Sequence, residues 1–105
     1  MKISVIIVSY NCKAFLDYCL QSVSKALKQI DSEILVIDNC STDGSVEYLK
    51  SKKYDLRIIE NKENLGFSKA NNKAAKLAKG EYLFFLNPDT IIPVSYTHLT
   101  LPTIQ

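Results

Sequence analysis

Glycine is scarce in this chain of 105 residues: only Gly44, Gly66 and Gly80 are present. None of them follows directly on the first apolar run, Ile3 to Val8. A pyrophosphate site of the G-x-G-x-x-G type, like a P-loop, needs glycine at that turn, because only glycine lets the backbone approach the phosphates. Both motifs are absent, which disfavours dinucleotide and ATP binding of those kinds. Cysteine is sparse and odd in number: Cys12, Cys19 and Cys40 show no C-x-x-C spacing. This argues against a disulfide frame or a cysteine zinc site and fits reduced cytosolic thiols in structural positions. Neither sign of charge is in excess. Thirteen basic and 11 acidic residues leave a formal net charge of +2, with the signs interleaved, so no nucleic-acid or membrane-surface footprint is expected. No long apolar run opens the chain, since Ile3 to Val8 gives way to Ser9-Tyr10-Asn11. Neither a signal peptide nor a membrane span fits there. The expected location is cytoplasmic, and for a longer parent protein the inner face of the membrane.

What is present is ordinary globular composition, 47% hydrophobic and 23% charged, with length for one hydrophobic core. The composition changes abruptly near the end. Every charged residue lies at or before Asp89, and the stretch from Val94 to Gln105 has none. Val94-Ser95-Tyr96-Thr97-His98-Leu99-Thr100-Leu101-Pro102-Thr103 looks like a translated sequencing adapter, since a transposase-end sequence encodes those ten residues in order. The expected organisation is thus a native part, residues 1–93, followed by a non-native tail, residues 94–105. His98, the only histidine, then carries no functional weight.

Four short apolar runs recur: Ile3 to Val8, Glu33 to Ile37, Leu56 to Ile59 and Tyr82 to Leu86. The first, second and fourth are nearly continuously apolar, which predicts parallel strands covered on both faces. Between the first two, Phe15, Leu16, Cys19, Leu20, Val23, Ala26, Leu27 and Ile30 follow helical spacing and predict one buried stripe. Ser41-Thr42-Asp43 offers N-cap residue types to a short second helix built around Val46 and Leu49. A third helix is predicted from about Phe67 to Lys79. Its Ala70, Ala74, Ala75 and Ala78 allow close packing on the sheet, and Gly80 is expected as a C′ stop. The order β-α-β-α-β-α-β predicts an open, doubly wound α/β sheet, and ligands of such sheets bind beyond the carboxyl ends of the strands. There the sequence sets Ser9-Tyr10-Asn11, Asp38 to Asp43, Glu60 to Asn64 and Asn87-Pro88-Asp89, a rim of carboxylates, amides and hydroxyls.

With the glycine-based phosphate motifs absent, a diphosphate could be held through a divalent cation on one or two carboxylates. Asp89 is placed for that role, or to cap a turn after Pro88. Asp38 could equally begin a loop, and Asp43 reads as a helix cap more readily than as a ligand.

Taken together, Val5 to Asn11, Val36 to Ser45, Glu63 to Asn72 and Phe85 to Asp89 resemble the family 2 glycosyltransferases of the GT-A fold, across everything before Val94. The resemblance implies a Rossmann-like half-domain, a nucleoside-diphosphate sugar as donor and Mn²⁺ or Mg²⁺ on the diphosphate. Carried over, Val8, Ser9 and Tyr10 pack on the base and Asp38 with Asn39 contacts base or ribose. Asn64, Gly66 and Asn71 shape the pocket, Asn87 joins the donor site, and Asp89 faces the metal. Gly66 has a second reading, a positive-φ turn into the third helix. This chain departs from many relatives at Asn39 and at Asn87-Pro88-Asp89, where they carry aspartates. The Asn-Pro-Asp form resembles a rhamnosyltransferase-type branch, with dTDP-rhamnose as the implied donor and a glycan or lipid-linked acceptor in surface polysaccharide synthesis. The inverting general base of relatives lies beyond Asp89, so no catalytic residue is assigned and the chain by itself is expected to be inactive. The alternative reading is a non-catalytic α/β module using the same rim to bind a nucleotide or a partner.

Overall fold

In the computed structural model, residues 2–52 and 54–88 are described. Asp89 and the expected adapter tail lie outside them. The chain runs β1 (Ile3–Ser9), α1 (Lys13–Ala26), β2 (Ser32–Asp38), α2 (Ser45–Ser51), β3 (Arg57–Glu60), α3 (Phe67–Leu77) and β4 (Tyr82–Leu86), the predicted alternation. All strand pairs are parallel, in the order β3-β2-β1-β4. β1 is central and buried along its whole length, which explains why it reads as continuously apolar rather than alternating.

Each face of the sheet buries its own cluster. On one face Ile3, Val5 and Ile7 pack with Leu16, Cys19, Leu20 and Val23 of α1 and Leu49 of α2. On the other, Ile6, Val8, Leu35 and Ile37 meet Ala70 and Ala74 of α3, both fully buried. Helical spacing put Phe15 on the buried stripe of α1, but it is 55% exposed. It sits in the first turn of α1, at the end of β1, where it faces a cavity instead of the core.

The helix α3 stops at Leu77, and Ala78 is already extended, with φ −71° and ψ 142°. Gly80 is therefore not a helix C′ residue. Its role is close approach: a Cβ built there would lie 2.5 Å from the Ser4 backbone nitrogen and 2.7 Å from the Ile3 carbonyl carbon. The Gly80 N–H donates to Ser4 Oγ at 2.8 Å, and Ser4 Oγ donates to Glu33 Oε2 at 2.6 Å. Glu33 also accepts from the Lys79 N–H at 2.6 Å and from Arg57 at 3.3 Å. Burial alone would raise the Glu33 carboxyl, but these donors hold it below the usual carboxylate range. The amino-terminal end of the sheet is thus clamped by one carboxylate that serves β1, β2, β3 and the turn into β4.

Strand order decides where a ligand can enter. The crossovers through α1 and α2 step outward from β1 to β2 to β3, whereas the one through α3 returns across the sheet to place β4 on the far side of β1. The strand order reverses between β1 and β4, and a crevice opens at the carboxyl ends of strands at such a switch point.

Candidate functional site

A cavity of about 500 Å³ lies at that crevice, lined by Val8, Tyr10, Cys12, Phe15, Asn39, Asn64, Gly66, Phe67, Asn87 and Pro88. Val8, Tyr10, Asn39, Asn64, Gly66 and Asn87, all anticipated from the sequence, meet there. Ser9, Asp38 and Asn71 do not form its wall. Ser9 is fully buried, its hydroxyl 3.2 Å from Cys12 Sγ, and Asn71 sits partly exposed on α3. Both oxygens of Asp38 are engaged by Ser41: Oδ2 accepts from the backbone N–H at 2.9 Å and Oδ1 from the hydroxyl at 2.6 Å. With 2% exposure, Asp38 holds the β2–α2 turn in its present arrangement.

Two non-glycine residues adopt left-handed backbone at this end of the sheet, Asn11 (φ 49°) and Cys40 (φ 63°). They belong to neighbouring turns that are tied together. The Asn11 N–H donates to Ser41 Oγ at 3.0 Å, and the Thr42 N–H donates to Asn11 Oδ1 at 2.8 Å. Asp43, anticipated as a cap, serves two helices. Its Oδ2 accepts from the first N–H of α1, on Lys13, at 3.0 Å, and its Oδ1 accepts from the Ser45 N–H at 3.1 Å and from the Ser45 hydroxyl. Burial would raise this carboxyl, yet the bonds from Ser45 and Lys13 hold it below its ordinary value. Strain at Asn11 and Cys40 is thus sustained by a network that fixes both turns at the cavity mouth.

The floor of the cavity is built from amides. Asn39, 2% exposed, follows β2 and its N–H donates to the Ser9 carbonyl at 2.8 Å, continuing the ladder. Its side-chain Nδ2 donates to the Gly66 carbonyl at 3.2 Å. Its Oδ1 accepts from Asn61 Nδ2 at 2.8 Å and from the Leu65 N–H at 3.4 Å. Asn61 is itself buried, and its Oδ1 accepts from Lys73 Nζ at 2.5 Å. Gly66 makes the positive-φ turn into α3. It has φ 81°, and it lines the cavity with open space where a Cβ would project.

Sequence reasoning missed Cys12, Phe15, Phe67 and Pro88 as wall residues and Asn61 as the support beneath Asn39. Tyr10, Phe15 and Phe67 are all more than half exposed, a concentration of aromatic rings on one rim that spacing alone did not separate from core. The three thiols are free. Cys12 is half-buried, and burial pushes its pKa up against the hydrogen bonds from Ser9 and Tyr10, so it serves the wall as a neutral, weakly polar group. Among the described residues no three histidine, cysteine or acidic side chains converge on a point, and no helix is long and apolar enough to cross a membrane.

The model of the family described as Glycosyl transferase family 2 matches residues 4–102. The chain belongs to glycosyl transferase family 2. A poly(ribitol-phosphate) beta-glucosyltransferase of Bacillus spizizenii is 40% identical over 97 residues, covering 88% of this chain and 15% of that protein. An Escherichia coli protein, UDP-Glc:alpha-D-GlcNAc-diphosphoundecaprenol beta-1,3-glucosyltransferase WfaP, is 41% identical over 91 residues, covering 83% of this chain and 35% of its own length. Among solved structures, the Pyrobaculum calidifontis mannosyltransferase PcManGT in complex with GDP-Man and Mn²⁺ aligns with a TM-score of 0.79 at 27% identity, over 89% of this chain and 29% of that one. The fold is that of the GT-A glycosyltransferases. The chain spans well under half the length of each of these family 2 relatives.

Proposed function

We propose that the cavity between the ends of β1, β2 and β4 is the donor site of a glycosyltransferase that takes its sugar from a nucleoside diphosphate. The observation that carries this reading is the composition of the lining: the aromatic rings of Tyr10, Phe15 and Phe67 border the same cavity as the amides of Asn39, Asn64 and Asn87. Rings of that kind stack on a base, and amides read its edge and the ribose hydroxyls. The donor is a pyrimidine nucleotide sugar, with dTDP-rhamnose the candidate that the Asn87-Pro88-Asp89 form favours. The whole protein would transfer the sugar to a glycan or a lipid-linked acceptor in cell-surface polysaccharide synthesis. Two relatives carry such acceptors in their names, poly(ribitol-phosphate) and a diphosphoundecaprenol-linked sugar.

The diphosphate would reach toward Asn87-Pro88 and the adjoining Asp89. A Mn²⁺ or Mg²⁺ ion held there would offset charge on the departing diphosphate. With no cluster of acidic ligands among the described residues, Asp89 and the phosphates would supply the charged ligands. The general base for an inverting displacement is assigned to residues beyond Asp89. Residues 1–93 are the donor-binding part in this reading and 94–105 a translated adapter, which resequencing the source locus across codon 93 decides.

Calorimetric titration of the chain with UDP and dTDP, each with Mn²⁺, with Mg²⁺ and with EDTA, tests the site. Binding that weakens at least about tenfold on chelation and in Asp89→Asn is expected, since one charged ligand to the metal is lost. Binding that ignores metal and Asp89 favours the non-catalytic module, and no binding by folded protein at millimolar nucleotide sinks the donor site.

A further inference from the structure

The amides beneath the cavity do more than fill space, because their polarity is fixed from outside. A lysine ammonium has only hydrogens to give, so Asn61 must turn its oxygen toward Lys73 Nζ, 2.5 Å away. The Asn61 nitrogen then faces Asn39, and Asn39 accepts through Oδ1 at 2.8 Å. Backbone groups agree with that choice. The Leu65 N–H also points at Asn39 Oδ1, and the Gly66 carbonyl takes a hydrogen from Asn39 Nδ2. Lys73, Asn61 and Asn39 thus form a one-way chain that runs from a lysine on the exposed side of α3 to the lining of the cavity. An amide nitrogen carries two hydrogens and Gly66 uses one.

We propose that Lys73 is a positioning residue that, through Asn61, holds Asn39 so that its second amide hydrogen is the donor offered to the bound base. A base that presents a ring carbonyl at that point, uracil or thymine, satisfies the donor. Cytosine carries an amino group in place of the C4 carbonyl, so a base that turns its C4 edge toward Asn39 meets an acceptor in uracil or thymine and a second donor in cytosine. An aspartate in place of Asn39 would offer only acceptors, so this chain reads the base edge with the opposite polarity. The inference rests on the reading of the cavity as a nucleotide site and adds to it which base edge is preferred and what enforces the preference.

The test compares UDP with CDP on the full chain and on Lys73→Met and Lys73→Arg, by calorimetry and by the side-chain amide signals of Asn39 and Asn61 in ligand-free protein. Lys73 is exposed, so neither variant opens a hole in the core. The parent and Lys73→Arg should favour UDP by about tenfold, the scale of one neutral hydrogen bond made against one lost. Lys73→Met should lose most of that preference, with the Asn39 and Asn61 amide signals shifted or broadened. Equal or reversed affinities in the parent overturn the proposal. So does a Lys73→Met variant whose ratio and amide signals match the parent. If the parent binds no nucleotide, the donor reading and the base preference fall together, while the ligand-free amide signals still decide whether the lysine orients the pair.

Discussion

Replacing Gly80 with alanine should lower stability by about 3 kcal/mol, the upper part of the range for forcing atoms into a packed interior. For a domain of this size that corresponds to a melting temperature lower by roughly 15 °C. The added methyl would fall 2.5 Å from a backbone nitrogen of the central strand and 2.7 Å from a backbone carbon, and neither can swing aside as a side-chain tip could. Gly66 provides the contrast. Nothing lies within 4 Å of its missing Cβ, so Gly66→Ala meets no clash and carries only backbone strain, about 3 kcal/mol for a φ of 81° with a ψ of 171°, a combination that side chains essentially never adopt. A Gly80→Ala variant that melts within about 2 °C of the parent, the effect of an ordinary surface substitution, would refute the close-approach account of Gly80. Acid acts on the same corner. The Glu33 carboxyl is depressed in the folded chain, so its contribution is complete above the ordinary glutamate range and disappears as pH falls through the lowered value.

Asn39→Ala should be comparably severe for a different reason. Truncation strands the Asn61 amide nitrogen, the Leu65 N–H and the Gly66 carbonyl, all of which Asn39 now satisfies. An unpaired buried polar group costs about 1–3 kcal/mol. Water can reach part of the opened site, so about 3 kcal/mol in total is expected from urea denaturation. Nucleotide affinity, measured where the variant is still folded, should fall by at least about tenfold as the cavity floor loses its donor. A variant within about 0.5 kcal/mol of the parent, the range of ordinary surface substitutions, would show that Asn39 is a bystander.

Much of this architecture is legible in the residues. Continuous apolar runs at Ile3 to Val8 and Glu33 to Ile37 announce strands covered on both faces, and the polar clusters that follow them locate the rim. The errors have physical sources. Phe15 keeps perfect helical spacing, but spacing cannot tell that the first turn of α1 overhangs the end of the sheet, where the apolar side faces the cavity. Gly80 stands where a helix stop is common, but the chain was already extended by Ala78, and the need for glycine comes from a strand distant in sequence. Asn61 was hidden because its partners, Asn39 and Lys73, are brought together by the β2–β3 pairing and the return of α3. Asp38 was legible as the start of a loop, and both its oxygens hold the Ser41 turn there.

The alanines of α3 have a consequence for how such a site changes over evolutionary time. Ala70 and Ala74 set the gap between helix and sheet, and Gly66 and Phe67 ride on the leading end of that helix into the cavity wall. A bulkier residue at either position would act as a shim, tilting the helix outward and widening the mouth without touching whatever is bound. Ligand preference in a lineage can therefore drift through side chains that never meet the ligand, and comparisons confined to the contact residues would miss the cause.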